Sequence, residues 1–246
     1  KGAWKPEDVK VPQPVAAFGF DEKDDKGFAD AVGKQARAAL PKDAEWVEGR
    51  TGKAVRFDGD MAMTFGPGIG NFGRYYPFSF SIWLKADSLR ERCVVLHRCV
   101  AESDAASRGY ELQLDEERPM FSLIHFWPGN AIRVRAKEVM PKGEWAHVAV
   151  TYDGSSRAAG VSLYINGKAC EVEVLRDNLF KDIRHHKSWG DSSPEKQELA
   201  LAARFRDLGF RDGLVDDLSV YDLELSPVEV ARLAETKAAL TDESLL

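Results

Sequence analysis

The sequence predicts an all-β protein: a two-sheet antiparallel β-sandwich of the jelly-roll type, closed by one short C-terminal helix. Three observations lead to this fold class. Apolar and polar residues alternate with period two in many short segments, turn-forming residues separate those segments, and a single segment carries helical signals. About a dozen short strands of this kind are typical of two stacked antiparallel sheets.

The clearest strand is FSFSIWLKA, which places four large apolar side chains on one face and Trp83 with two serines on the other. The segments GYELQLDEE, AIRVRAK and GEWAHVAVTYDG show the same alternation. Further strands are predicted near 14–20, 53–58, 61–65, 93–100, 119–127, 198–205 and 214–222.

The stretch VSLYINGKACEVEV predicts a β-hairpin, because Asn166-Gly167 supplies the two positive-φ residues of a type I′ turn. Two sets of side chains are expected in the core, one from each strand. They are Val161, Leu163 and Ile165, and Cys170, Val172 and Val174.

The segment SPVEVARLAETK predicts the helix. Ser226 can cap its N-terminus, Pro227 fits the first turn and Glu229 completes a capping box. Val230 and Leu233 then belong to an apolar stripe.

One domain over residues 14–237 is expected, with residues 1–13 as a linker from a parent protein and 238–246 as a C-terminal tail. The chain begins at Lys1 and shows no export signal, so it is interpreted as a piece of a longer protein. Of the three cysteines, Cys93 and Cys99 would lie roughly 20 Å apart on one strand, too far to bridge. All three are interpreted as small buried side chains.

The bulk composition argues against two classes of main partner. The net charge is −6 and the pI about 5.5, which disfavours nucleic acid and anionic membrane surfaces, because binding phosphate requires clustered positive charge. No apolar run approaches the ~18 residues of a membrane span, so membrane insertion is not expected.

Six blocks in order resemble the laminin G-like jelly roll of the concanavalin A-like lectin/glucanase superfamily. They are KAVRFDG, FSFSIWLKADSL, EWAHVAVTYDG, VSLYINGK, GLVDDLSVY and LSPVEVARL, and they cover roughly residues 14–236. The closing GLVDDLSVYDLELSPVEVARL is similar to modules found inside large planctomycete multidomain proteins.

This resemblance implies a non-catalytic module of a larger, exported bacterial protein, located outside the cytoplasm. Carbohydrate or glycoconjugate is the implied partner. A scaffold domain that packs against sister domains of its parent and binds no free ligand is the first alternative. A glucanase-type glycoside hydrolase is the second.

Candidate catalytic groups are few. Glu171 and Glu173 lie on one face of the hairpin, but Leu175 and Arg176 occupy the places where laminarinase-type enzymes carry a third carboxylate. His147 in GEWAHVAVTYDG has no nucleophile or orienting carboxylate in its strand. It is therefore interpreted as a structural histidine packed near Trp145 or Trp83 and hydrogen-bonded to the backbone.

The predicted ligand site uses Trp127 and His125, with Arg133 or Arg135 as hydrogen-bond donors. Trp127 precedes Pro128-Gly129 and so lies at a strand end, where loops form binding sites. Phe121, Leu123, His125 and Trp127 are expected on one face of the strand. Arginine forks suit acidic or sulfated sugars. Trp83 and Tyr110 are secondary aromatic candidates.

No cofactor is firmly indicated. The turn Asp58-Gly59-Asp60 offers hard oxygen ligands, so Asp58 and Asp60 are candidate calcium ligands. Such turns also use aspartate for local backbone hydrogen bonds, which is the competing interpretation.

Overall fold

The computed structural model describes residues 5, 8–33, 36–87, 91–99, 108–186, 197–204 and 207–235. In chain order, the strands are β1 (Ala16–Phe18), β2 (Lys23–Asp24), β3 (Gly27–Ala29), β4 (Arg37–Ala38), β5 (Glu45–Glu48), β6 (Lys53–Arg56), β7 (Met63–Thr64), β8 (Phe78–Lys85), β9 (Arg92–His97), β10 (Gly109–Asp115), β11 (Arg118–Phe126), β12 (Asn130–Ala136), β13 (Ala146–Tyr152), β14 (Val161–Ile165), β15 (Lys168–Ala169), β16 (Val172–Asp177), β17 (Ala200–Leu201) and β18 (Leu214–Tyr221).

Two antiparallel sheets form the predicted sandwich. Within the described residues, the sheet that we call the back sheet has the order β15-β14-β13-β8-β18-β6-β5, with β1 also paired to β18. The front sheet has the order β16-β12-β11-β10-β9-β17-β7. A small third sheet joins β2, β3 and β4.

The core lies between the two main sheets and is rich in aromatic rings. Phe78 and Phe80 of the back sheet contact Tyr110 of the front sheet, with ring centroids 5.5 and 5.2 Å apart. Tilted and edge-to-face pairs at this spacing add to the free energy gained by burying the rings. The inward residues predicted for FSFSIWLKA are all fully buried.

The hairpin prediction is correct at its turn and wrong beyond it. Asn166 and Gly167 have φ values of 51° and 78°, as a type I′ turn requires. The returning strand β15 ends at Ala169, and the chain then crosses to pair β16 with β12 in the front sheet. Val174 therefore lies at a sheet edge and is 52% exposed instead of being in the core.

Four strands, β2 to β5, were not predicted from the sequence. Three predicted strands are much shorter than expected: β1, β7 and β17 contain two or three residues each. The missed strands include β2 and β4, which have only two residues each. A strand this short cannot show a repeating alternation of apolar and polar side chains.

The predicted helix is present as α1 (Pro227–Leu233) and begins with the predicted capping box. The backbone N–H of Ser226 donates to Glu229 Oε2 at 2.7 Å. Val230 is fully buried against the outer face of the back sheet, in a cluster with Ala149, Tyr164 and Tyr221. The helix thus covers the side of the sheet that faces away from the main core.

The boundaries of the domain stay a prediction. Residues 1–4, 6 and 7 of the expected linker and the whole expected tail lie outside the described residues. Val11, in the linker region, packs against the cluster beneath α1. No disulfide joins the three cysteines, all of which lie in described segments. No helix in the described part of the chain is long and apolar enough to cross a bilayer.

Candidate functional site

The outer face of the front sheet carries Trp127 and the two candidate arginines. Ile132 and Val134 of β12 point into the core, so the intervening Arg133 and Arg135 point outward. The Arg133 guanidinium lies 3.7 Å from the centroid of the Trp127 ring, in cation–π geometry. The structure thus brings Trp127 and Arg133 together, as the sequence predicted.

Both arginines are, however, already engaged by the protein. Arg133 Nη2 donates to Glu111 Oε1 at 2.9 Å, and its Nε donates to Ser122 Oγ at 2.7 Å. Arg135 forms ion pairs at 2.6 Å with Asp115 and at 2.9 Å with Glu173. Their expected role as free donors to a ligand is therefore not supported, because a ligand would have to displace these carboxylates.

Glu111 is the centre of a buried charge network under this face. Its side chain is 2% exposed and lies between Arg133 and Arg204. Asp207 in turn pairs with Arg204 and accepts a hydrogen bond from Arg92 Nη2 at 2.7 Å. Burial opposes ionisation of Asp207, but the Arg92 hydrogen bond and the Arg204 charge hold its pKa below the ordinary value.

The possible catalytic carboxylates are paired in the same way. Glu173 binds Arg135, and Glu171 binds Lys137 at 2.9 Å. Both side chains are exposed on the edge strand region of the front sheet, outside any of the clefts described below. Retaining glycoside hydrolysis needs one carboxylate as nucleophile and a second as acid, about 5–5.5 Å apart across the scissile bond. Carboxylates held by neighbouring cations are poorly placed for either role.

His125 lines a cleft at the end of β11. Its Nδ1 lies 2.6 Å from the carbonyl oxygen of Asp182, which fixes the ring. Arg108, Lys181 and Asp182 belong to the described lining of this cleft, whose volume is about 410 Å³. A cleft of this size can hold one or two sugar rings of a small ligand.

The expected common face of His125, Trp127, Phe121 and Leu123 is wrong. Phe121 and Leu123 are buried in the core, whereas Trp127 lies beneath the outward Arg133. The pairing of β11 with β12 shifts register between Ile124 and Phe126. Such an irregularity breaks the two-residue alternation, so residues beyond it no longer share a face with those before it.

Exposed aromatic side chains gather at this end of the sandwich. Tyr75, Tyr76, Phe126 and Phe180 have between 47% and 64% of their surface accessible. The loops that carry them are tied together, since the Asn130 side chain accepts a hydrogen bond from the Phe180 backbone N–H at 3.0 Å. We call Tyr75, Tyr76, Phe126, Trp127 and Phe180 the aromatic rim.

The secondary candidates Trp83 and Tyr110 are not at the rim. Tyr110 is 1% exposed in the main core, and its hydroxyl donates to the Gly70 carbonyl at 2.8 Å. Trp83 lies on the outer face of the back sheet and is 9% exposed, whereas Trp127 is only partly buried, and the Arg50 guanidinium lies 3.8 Å from the Trp83 ring centroid. Neither ring offers an open face to a sugar.

His147 is fully buried beside Trp83, as expected for a structural residue. Its Nε2 lies 2.8 Å from Ser81 Oγ, so its partner is a side chain and not the predicted backbone group. Burial lowers the pKa of His147 to about 3, and the nearby Arg50 charge acts in the same direction. The ring is therefore neutral at physiological pH.

The calcium candidates form a local turn. Asp58 Oδ1 accepts hydrogen bonds from the backbone N–H groups of Asp60 at 2.8 Å and Met61 at 3.3 Å. In the described segments no three His, Cys, Asp or Glu side chains are grouped to hold a metal ion. The local-turn interpretation accounts for the Asp58 side chain.

Comparison with known proteins agrees with this architecture. A family model described as the concanavalin A-like lectin/glucanases superfamily matches residues 57–231, well over half of the chain. The chain belongs to the concanavalin A-like lectin/glucanase superfamily. Among curated proteins, none matches the chain by sequence.

Solved structures with this superfamily fold include binding domains from bacteria. The binding domain of Paraclostridial Mosquitocidal Protein 1 is 15% identical with a TM-score of 0.62, over 90% of this chain and 51% of that one. Domain 4 of an extracellular arabinanase from Geobacillus stearothermophilus, solved with arabinotriose, is 19% identical with a TM-score of 0.60, over 92% of this chain and 100% of that one. The ligand-binding domain of botulinum neurotoxin serotype D, in complex with N-acetylneuraminic acid, is 11% identical with a TM-score of 0.61.

The alignment with the neurotoxin domain covers 90% of this chain but only 50% of that domain. The alignment with the mosquitocidal protein domain likewise covers about half of that domain. At these identities the similarity establishes the fold. The superfamily contains both lectins and glucanases, so the function has to be argued from the site itself.

Proposed function

We propose that this chain is a non-catalytic carbohydrate-binding module and that it binds glycan at the aromatic rim, beside the His125 cleft. The observation that carries the proposal is the concentration of accessible aromatic rings near a cleft whose described lining is Arg108, His125, Lys181 and Asp182. A sugar ring presents apolar C–H faces and polar hydroxyl edges. A site that combines aromatic surfaces with a few oriented polar groups suits both.

Two of the similar structures support carbohydrate as the ligand class. The arabinanase domain was solved with arabinotriose and the neurotoxin domain with N-acetylneuraminic acid. The extracellular arabinanase also supports a location outside the cytoplasm, as one module of a larger bacterial protein. The paired state of Glu111, Glu171 and Glu173 supports a binding role over hydrolysis.

A scaffold role is the second candidate, and the same rim favours it. Exposed aromatic side chains clustered on one surface also mark contacts between protein domains. In that case the rim would be covered by a sister domain of the parent protein and would bind no free sugar.

A glycan array followed by calorimetry with the best ligand separates these functions. Trp127→Ala and Phe180→Ala should each weaken binding by about tenfold or more, since each loses an aromatic contact of roughly 1–2 kcal/mol. Trp46→Ala is the matched control, because Trp46 is also partly exposed but belongs to β5, away from the rim.

Circular dichroism must show that each variant is folded. Equal binding by wild type, Trp127→Ala and Phe180→Ala would place the sugar elsewhere. Absence of any array hit, with the parent's neighbouring domain binding the rim, would favour the scaffold.

A further inference from the structure

A second pocket lies at the same end of the sandwich and is lined in part by residues 177–180, which directly precede Lys181 and Asp182 of the His125 cleft. It has a volume of about 260 Å³. Three loops form it: the turn before β8, the loop after β13 and the chain that follows β16. Its walls include Arg74, Tyr75, Ser155, Arg157, Asp177 and Phe180.

The two arginines of this pocket differ from those of the front sheet. Arg74 Nη1 lies 3.1 Å from Ser156 Oγ and 3.5 Å from the Leu179 carbonyl, and its guanidinium stacks on Tyr75 at 4.0 Å. All these partners are neutral. The exposed Arg157 makes no side-chain hydrogen bond or ion pair with the residues that the structure describes.

The pocket therefore holds positive charge that the surrounding protein does not fully balance. Asp177 is the carboxylate in its described lining, and one of its oxygens accepts a hydrogen bond from the Ala158 backbone N–H at 2.9 Å. Asp182 lies near the Arg74 backbone, but its side chain pairs with Arg184 at 2.9 Å. Two guanidinium groups thus face one partly engaged carboxylate.

Buried hydrogen bonds fix the pocket walls. The hydroxyl of Tyr152 donates to the Arg74 carbonyl at 2.6 Å and accepts from the Ser156 backbone N–H at 2.7 Å. One core side chain thus ties the Arg74 turn to the loop that carries Ser155 and Arg157. Walls fixed in this way lose little conformational entropy when a ligand binds.

We infer that this pocket is a separate subsite for an acidic group on a sugar, a carboxylate or a sulfate ester. Arg157 and Arg74 would donate to the anion, since guanidinium forks match the oxygens of both groups. Tyr75 and Phe180 would flank the ring that carries it. That a sugar carries the anion rests on the proposed carbohydrate-binding function, whereas the anion site itself rests on the two arginines.

The two sites share one wall segment. Phe180 lines the acidic-group pocket, and the next residues, Lys181 and Asp182, line the His125 cleft. A single oligosaccharide can therefore occupy both, with a neutral residue at the cleft and an acidic residue in the pocket. This arrangement predicts a preference for acidic over neutral glycans in a chain whose own net charge is −6.

The test compares a glucuronate-containing oligosaccharide, its sulfated counterpart and its neutral glucose counterpart by calorimetry. Arg157→Gln should weaken binding of the acidic ligands about tenfold, as expected for a charge-assisted hydrogen bond, and should leave the neutral ligand unchanged. Arg211→Gln is the control, because it removes the same charge at an exposed site on another loop. An equal loss for neutral and acidic ligands, or an equal effect of both variants, would overturn the inference. The relative losses for carboxylate and sulfate identify which of them the pocket prefers.

A second measurement separates this inference from the proposed function. Free glucuronate, sulfate ion and glucose are titrated while the side-chain Nε–Hε signals of Arg74 and Arg157 are followed by NMR. Shifts of both signals with glucuronate or sulfate, but not with glucose, support the anion site even if no neutral glycan binds the His125 cleft. Unmoved arginine signals with both anions overturn it, even if neutral glycans bind.

Discussion

The outer faces of the two sheets are covered by different kinds of side chain. On the back sheet, α1 and the chain before it cover the outer face with apolar side chains, and Tyr164, Tyr221, Leu225 and Val230 form a second small core there. On the front sheet, the outer face is covered by arginines that pair with carboxylates on the strands. The first face is sealed by a structural element and the second by long charged side chains.

The difference indicates where a ligand can bind. The outer face of the back sheet exposes little of its strands, so residues such as His147 and Trp83, which are 0% and 9% exposed, become structural. A face sealed by ion pairs is rigid at its centre, where Glu111 lies, and opens only at its end, where the aromatic rim and both pockets are found. Function is therefore expected at the rim and not on the flat centre of either sheet.

The largest expected effect tests the sealed centre of the front sheet. Glu111→Ala leaves Arg133 and Arg204 without their shared buried carboxylate, so it should lower the free energy of unfolding by about 3–5 kcal/mol. Urea denaturation measures this loss. Glu173→Gln is the comparison, since this exposed partner of Arg135 should contribute no more than ~1 kcal/mol. Similar losses in both variants would show that the buried network is not special.

The next effect concerns the back sheet. His147→Ala removes a fully buried ring and its contact with Ser81, so the free energy of unfolding should fall by roughly 1–3 kcal/mol. His186→Ala, at an exposed position, should change it by less than about 0.5 kcal/mol. A His147→Ala variant with unchanged stability but lost glycan binding would move the site to the back sheet.

The last effect is a pH dependence that both faces share. Burial lowers the pKa of His97 to about 4 and that of His147 to about 3, below the unfolded value of about 6.5. Between those values the unfolded state binds more protons, so each histidine lowers stability as the pH falls below 6.5. Burial and the Asp217 charge raise the pKa of Asp216 to about 6, and this aspartate acts in the opposite direction between the ordinary aspartate value and 6.

The net expectation is a loss of stability as the pH falls from 6.5 towards 4. His147→Asn should reduce the slope of unfolding free energy against pH by about 1.4 kcal/mol per unit, which is the contribution of one proton. Urea midpoints and slopes at several pH values provide the measurement. A slope that does not change in the variant would mean that His147 titrates normally in the folded protein.

Much of the fold could be predicted, because long strands repeat the same alternation over many residues. The four central strands β8, β10, β11 and β13 and the capped helix α1 agree with the sequence to within a few residues. The short strands β2 to β5 could not be found this way. Their pairing depends on partners elsewhere in the chain, such as β6 for β5 and β3 for β4.

The candidate site was predicted only in part. A tryptophan and a histidine at a strand end pointed to the rim where we propose that glycan binds, and the nearby arginines were expected to serve a ligand. The sequence did not show that Glu111 and Asp115, on a different strand, occupy those arginines. The sequence analysis missed Phe180 and Arg74. Phe180 could have been noticed, because it is an aromatic residue within the polar stretch that follows β16.

The sequence by itself determined which residues of the regular central strands point away from the core, such as Trp83 on β8 and Arg133 on β12, because side-chain direction alternates along an uninterrupted strand. It also determined the turn at Asn166-Gly167 and the start of α1, which depend on local backbone and capping chemistry. Only the tertiary structure decided which groups the outward side chains contact. His147 meets Ser81 and Trp83, and Arg133 meets Glu111, because folding brings these distant parts of the chain together. Arg157 meets solvent.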